Sequence, residues 1–300
     1  MENCKLCPRE CKVNRLIGET GYCRIDAGLN IASIAIHKGE EPSINGLNGI
    51  CNIFFAGCNL HCLYCQNYEI SWSDTAKSNS VMDLNGAVDQ IERILSKGIK
   101  SVGFVSPSHV VPQVKAIIKE INLRKHRPIT VYNTGCYDKR DVIRSLSGLI
   151  DIYLPDYKYC TPELASQYSD AFDYPKVALE ALKEMYYQKG STLITDENGM
   201  AENGLIIRHL VLPGHVDESK NILRSIAEEL SPGVHLSLMS QYYPTVNAND
   251  HFKLKRSLYK EEYETVVEEM KILGFRNGWI QDMESFKNFR PDFRKEYPFE

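Results

Sequence analysis

Apolar positions along this chain fall into two rhythms. From position 50 onward, short runs of β-branched and aromatic residues alternate with longer stretches whose apolar side chains recur every three or four residues. The short runs predict strands at 50–56, 101–105, 129–133, 151–154, 205–212 and 234–239. Between the first two, Leu84, Ala87, Val88, Ile91, Ile94 and Leu95 make one helical stripe, with Asp83 placed to cap its start and Gly98 just past its end. Val177, Ala178, Ala181, Leu182 and Met185 make a second stripe, Ile222, Leu223, Ile226 and Leu230 a third, and Leu258, Val266, Met270 and Leu273 a fourth. Strands that alternate with helices in this way build βα units around a parallel sheet. The polar stretch 196–203 reads as a surface loop.

Residues 1–49 have a different texture. They hold Cys4, Cys7, Cys11 and Cys23, several glycines and one short apolar alternation at 31–36. They therefore read as a small ligand-stapled cap ahead of a domain at 50–300 that ends in a helical extension. A hydrophobic fraction of 43% in 300 residues is enough for a large core. The net charge of -4 and the absence of a Lys/Arg block argue against a nucleic-acid partner. The start lacks the basic and apolar regions of a signal peptide, and no apolar run is long enough to span a bilayer, so no membrane partner and a cytoplasmic location are expected. Ten cysteines, eight of them before position 66, then point to metal ligation rather than disulfides.

The densest group is Cys58-Asn59-Leu60-His61-Cys62-Leu63-Tyr64-Cys65, with spacing CxxxCxxC, directly after the first predicted strand. Full thiolate ligation of a [4Fe-4S] cluster takes four cysteines, so three leave one iron open to another ligand. Zinc favours two separated pairs, which this spacing does not provide. The earlier quartet, Cys4, Cys7, Cys11 and Cys23, offers four thiols. It suits structural zinc, a second, fully ligated cluster, or simply reduced thiols, and spacing does not choose among them. Cys51, Cys136 and Cys160 are scattered and read as buried, unreactive thiols.

The cysteine motif, Tyr64 within it and the strand-like Ile53-Phe54-Phe55 before it resemble the radical S-adenosylmethionine (SAM) superfamily. In detail the chain is similar to the pyruvate formate-lyase activating enzyme-like branch whose members carry an N-terminal cysteine-rich extension. The likeness rests on Cys4-Lys5-Leu6-Cys7-Pro8-Arg9-Glu10-Cys11, Gly39-Glu40-Glu41-Pro42, Cys65-Gln66-Asn67, Arg208 through Gly214 in an RxxVxPG pattern, and Met239-Ser240-Gln241-Tyr242. The resemblance implies an α/β fold, a partial (β/α)6 radical SAM barrel with a small cysteine-rich cap. It implies a [4Fe-4S] cluster on Cys58, Cys62 and Cys65, with SAM on the open iron, cleaved reductively to a 5′-deoxyadenosyl radical that abstracts hydrogen. It further implies Tyr64 against the cluster or the adenine, and Arg208, Asp156 and Lys158 near the SAM carboxylate. A low-potential donor, flavodoxin or ferredoxin, and a protein substrate such as a glycyl radical enzyme complete the implied set. The alternatives are radical modification of another protein, a peptide or a metabolite, and a non-enzymatic electron-transfer or redox-sensing iron–sulfur protein.

Polar residues at the predicted strand ends fill out the candidate site, because ligands in parallel α/β folds lie beyond the carboxyl ends of the strands. These are Ser106 and Ser108, Asn133, Asp156 and Lys158, Arg208, and Gln241. Where the superfamily usually has Gly-Gly-Glu to receive the SAM amino group, this chain has Ser106-Pro107-Ser108, which lacks the carboxylate. His37, Glu40 and Glu41 suit either the active-site side of the cap or a solvated turn.

Overall fold

The computed structural model describes residues 1–72, 82–287, 291–293, 295 and 298–299. Its strands, in chain order, are β1 (Ile31–His37), β2 (Ile50–Phe55), β3 (Ser101–Val105), β4 (Ile129–Thr134), β5 (Ile152–Pro155), β6 (Ile194–Thr195), β7 (Ala201–Leu210), β8 (His235–Met239) and β9 (Asn277–Ile280). They form one sheet in the order β1-β2-β3-β4-β5-β7-β8-β9, with β6 paired to β7 off that path. All neighbours from β2 to β9 along the path are parallel, while β1 runs antiparallel to β2. The sheet is open, since β1 and β9 stand at opposite ends of the path. The six predicted strands are β2, β3, β4, β5, β7 and β8, and the result is a partial α/β barrel.

Side-chain alternation sorts each strand between two sides. Ile53, Phe104, Tyr132, Tyr153, Ile207 and Leu236 join the main core with residues of the helices Leu84–Leu95, Val111–Leu123, Tyr174–Lys189 and Val216–Glu229. Their alternates Ile50, Val131, Ile152, Leu154 and Ile206 form a second, smaller cluster. Ile44, from the short helix Pro42–Asn45, packs among these. The segment after β1 therefore carries an apolar plug to the inner side of the strands and sets Glu40 and Glu41 just before it.

Two sequence expectations change. The alternation at 31–36 forms β1 and begins the sheet, so the N-terminal fifty residues contribute a strand as well as a cysteine-rich segment. The stretch 196–203 is a hairpin, not a loop throughout. Asp196 Oδ1 accepts from the N–H groups of Asn198 and Met200, both at 2.9 Å, and this tight turn lets β7 start at Ala201 against β6. The Leu84–Leu95 helix is as read, with the Asp83 side chain accepting from Gly86 N–H at 2.6 Å.

Candidate active site

A cavity of about 200 Å³ opens where the loops after β2, β3, β4, β5, β7 and β8 meet. Cys58, Cys62, Tyr64, Cys65, Ser106, Ser108, Asn133, Asp156, Lys158, Arg208 and Gln241 all line it. The sequence places these residues up to 183 positions apart, and the parallel register of the strands brings their ends to one mouth.

The cysteine loop is held from several directions. Leu63 N–H donates to Tyr168 O at 2.8 Å, and Thr245 Oγ1 donates to Leu63 O at 2.5 Å. Asn59 Nδ2 donates to Tyr137 O at 2.7 Å, and Arg9 Nε donates to Asn59 O at 2.9 Å. The sulfurs receive donors too: Leu60 N–H reaches Cys58 Sγ at 3.4 Å and Ser169 Oγ reaches Cys62 Sγ at 3.0 Å. Burial pushes all three thiols up, Cys65 to about 11, while the Lys158 ammonium acts in the opposite direction on each. Without a cation on the sulfurs these groups stay protonated at neutral pH.

Among the described residues, no three His, Cys, Asp or Glu side chains converge on a single metal ion. A cubane makes a different demand, because its cysteines bind separate irons around a larger core. Three thiols spread around one cavity, with an ammonium beside them, fit such a core better than a mononuclear ion.

Beside the cysteines lies a dense polar network. Arg208 donates from Nε to Asp156 Oδ1 at 2.7 Å, from one terminal nitrogen to Glu40 Oε2 at 3.1 Å, and from the other to Asn133 Oδ1 at 2.7 Å. Lys158 Nζ donates to Asp156 Oδ2 at 2.9 Å. Glu40 also accepts from Asn52 Nδ2 at 2.9 Å and lies 3.3 Å from His37 Nδ1. Burial would raise the Glu40 carboxyl, but His37 and Arg208 outweigh it and hold it below the usual carboxylate range. Glu41 goes the other way, raised by burial against the pull of Arg208, and its Oε2 is buried without a hydrogen-bond partner. Asp156 is lowered, because Arg208 and Lys158 overcome its burial. Gly103 makes the Asn52 contact possible, since a Cβ there would sit 2.0 Å from Asn52 Oδ1.

The remaining predicted residues have definite partners. Tyr64 is buried, with its hydroxyl 2.6 Å from that of Tyr159. Ser108 Oγ lies 3.0 Å from Thr134 Oγ1, which donates to Asp138 Oδ2 at 2.5 Å. Ser106 adopts φ +51°, a left-handed conformation costly for a non-glycine residue, at the point where β3 turns into the cavity wall. Gln241 accepts from Gln281 Nε2 at 2.9 Å. Glu41 is buried and the Glu40 side chain is only 5% exposed, which rules out the solvated-turn alternative. Ser169 and Tyr159 carried no signal in the sequence beyond being polar or aromatic residues near a helix. The N-terminal quartet surrounds a separate small cavity of about 10 Å³ that Arg15 and His109 also line. All ten cysteines are free.

No family model matches the chain. Among solved structures, SuiB of Streptococcus suis bound to S-adenosylmethionine is similar with a TM-score of 0.50 at 11% identity, over 75% of this chain and 48% of SuiB. SuiB bound to precursor peptide SuiA gives 0.50 at 12%, over 75% and 47%. The chain thus spans about half the length of these structures, and the likeness is one of fold, an open α/β barrel. The uncharacterized protein MJ0674 of Methanocaldococcus jannaschii is 30% identical over 275 residues, covering 89% of this chain and 74% of the archaeal protein. The chain belongs to the family of that protein.

Proposed function

We propose that this chain is a radical SAM enzyme with a [4Fe-4S] cluster on Cys58, Cys62 and Cys65. The observation that carries this reading is the shared cavity: three thiols on one wall face a guanidinium, an ammonium and hydroxyls on the others. When bound, the cluster supplies the electron that cleaves SAM to methionine and a 5′-deoxyadenosyl radical. Lys158 sets a positive charge beside all three sulfurs and so favours their thiolate form. Arg208 spends three of its five N–H groups on Asp156, Glu40 and Asn133, which fixes its plane and leaves two for the SAM carboxylate. Ser106 offers its hydroxyl or carbonyl to the SAM amino group in place of a carboxylate. Phe54, Val105 and Leu210 line the same cavity and help to keep water from a reactive radical.

A protein or peptide substrate suits this cavity. The cavity opens where the loops at the strand ends meet, so a short projecting segment of a polypeptide can enter from outside. SuiB, which shares the fold, has been captured with a precursor peptide. Activation of a glycyl radical enzyme is one member of this class, with flavodoxin or ferredoxin as the reductant. Among the described residues no helix is long and apolar enough to cross a membrane.

The test is anaerobic reconstitution followed by reduction with SAM and quantitation of 5′-deoxyadenosine. The wild type is expected to bind about four irons at this site and form the product. Alanine at Cys58, Cys62 or Cys65 is expected to abolish it. Product formation by the triple variant would overturn the assignment.

A further inference from the structure

The strands leave the barrel open between β1 and β9, and residues from beyond β9 return to the β1 side of that gap. There the rings of Phe293 and Phe299 pack on Phe54 of β2, with centroids 5.3 and 5.5 Å away. Phe299 also lies 4.3 Å from the ring of His37, which ends β1. Phe54 and Val105 line the active cavity, and with Ile70 they form the buried apolar cluster on which both rings sit. Pro291 and Phe299 are themselves part of the cavity wall.

This apolar seat adjoins the reacting centre. Glu69 and Ile70 belong to the short helix Tyr68–Ser71 that follows the cysteine loop, and Glu69 Oε2 accepts from Phe293 N–H at 3.2 Å. His37 lies 3.3 Å from Glu40, so the ring of Phe299 also meets the edge of the Arg208 network. The segment is tied to the barrel by side-chain packing rather than by sheet pairing. Among the described residues it joins no strand, and Asp292 N–H to Pro298 O at 2.8 Å and Lys295 N–H to Asp292 O at 3.1 Å fold it back on itself. A piece held in this way opens locally at low cost. Aromatic side chains set into apolar pockets are also the usual anchors of one polypeptide on another.

We propose that Phe54, Val105, Ile70 and His37 form a docking seat for an aromatic side chain of a polypeptide, and that the segment 291–299 fills this seat in the free chain. The identity of the partner rests on the polypeptide reading of the cavity given above, whereas the seat rests on the packing itself. A polypeptide that delivers a residue to the cavity over this flank displaces Phe299 and takes its place against Phe54 and His37.

The test uses the full chain prepared without metal and follows alkylation of each cysteine by iodoacetamide with mass spectrometry. Cys58, Cys62 and Cys65 line the cavity, while Cys51 and Cys136 are fully buried in the core and report its integrity. Phe293→Ala combined with Phe299→Ala is expected to speed modification of the three cavity thiols about tenfold, by raising the population of the locally open state, and to leave Cys51 and Cys136 slow. Equal rates in variant and wild type would overturn the proposal. If Cys51 and Cys136 also react faster in the double variant, Phe299→Ala alone is read, and the same loss of core protection there would count against the proposal by making Phe299 part of the core. A synthetic peptide covering residues 291–299, at about 1 mM, the order of effective concentration that a short tether supplies, is expected to return the double variant to the wild-type rate. The same peptide with alanine at both phenylalanines is expected to give no protection. Protection by neither peptide, or by both equally, would refute the aromatic seat. No cluster or SAM takes part in these rates, so a reconstituted protein that forms no 5′-deoxyadenosine would defeat the enzyme reading and leave them untouched.

Discussion

Ser169 Oγ donates a hydrogen bond to Cys62 Sγ at 3.0 Å across 107 positions of sequence. Ser169 is fully buried at the end of the helix Pro162–Ser169, and its hydroxyl also lies 2.8 Å from that of Tyr159, which in turn lies 2.6 Å from Tyr64. Hydrogen bonds to sulfur stabilise the more negative, reduced state of an iron–sulfur centre and so raise its potential.

Removal of that donor should therefore make reduction harder. Ser169→Ala is expected to lower the midpoint potential of the reconstituted protein by on the order of tenfold in the reduction equilibrium, about 59 mV for one electron. Tyr159→Phe should shift it the same way by less, because the hydroxyl on Cys62 remains. Electron paramagnetic resonance during a redox titration reads the shift, and unchanged iron content shows that the loop still binds its cluster. A potential equal to wild type in both variants would make the contact purely structural.

Arg208 answers for three acceptors at once, and its loss is expected to cost stability before any ligand is bound. Arg208→Ala leaves Glu40 and Asp156 without their guanidinium, and the loss of one partner of a buried pair costs about 3–5 kcal/mol. Arg208→Met combined with Glu40→Gln should recover part of this, since the variant no longer strands the Glu40 charge. Chemical denaturation of the single and double variants measures the difference. If the single variant unfolds at the wild-type midpoint, the network holds no net energy.

The strands were legible because each is a compact β-branched or aromatic run, and the helix Leu84–Leu95 because its apolar stripe and Asp83 cap agree. Lys158, Arg208 and Gln241 were legible because each closely follows or ends such a run. Glu40 was ambiguous, since an acid in a Gly39-Glu40-Glu41-Pro42 turn is ordinarily solvated. Its burial depends on Arg208, 168 positions away, and on Gly103 leaving room for Asn52. Ser169 was invisible for the same reason: it matters through one long-range contact, and nothing in its local pattern marks it.

Stability should fall as the pH drops from neutral toward 5. Burial lowers the imidazoles of His109 and His209 from the usual 6.5 to about 4, so both are neutral in the fold. His209 is locked by contacts to Tyr157 O and Ser219 Oγ, each at 2.9 Å. The unfolded chain takes up protons below pH 6.5 while the folded one does not until about 4, so the stabilisation is full above 6.5 and lost as pH falls toward 4. Each imidazole contributes at most about 2 kcal/mol of this loss between pH 7 and 5. Urea denaturation at the two pH values should show it, and His209→Gln should flatten the dependence. Equal stability of the wild type at both pH values would contradict the neutral assignment.

Gly57, the residue before Cys58, should tolerate no side chain. Its φ is +74°, and a Cβ would lie 2.2 Å from the carbonyl oxygen of Cys23, a main-chain atom that cannot swing aside. This is one of the points where the N-terminal segment touches the cysteine loop, so the clash would act on both at once. Gly18 provides the comparison, with φ +86° and nothing within 4 Å of the same added atom. Gly18→Ala carries only the conformational cost of a left-handed residue, about 1–2 kcal/mol. Gly57→Ala carries that cost plus overpacking against backbone, typically about 1–3 kcal/mol more. Thermal or urea unfolding of the two variants isolates the steric part as their difference. Limited proteolysis should then show residues 1–30 cut faster in Gly57→Ala than in Gly18→Ala, because only the former pushes the segment off the loop. Equal destabilisation and equal cleavage would mean that the close approach of Cys23 to Gly57 does not join the two regions.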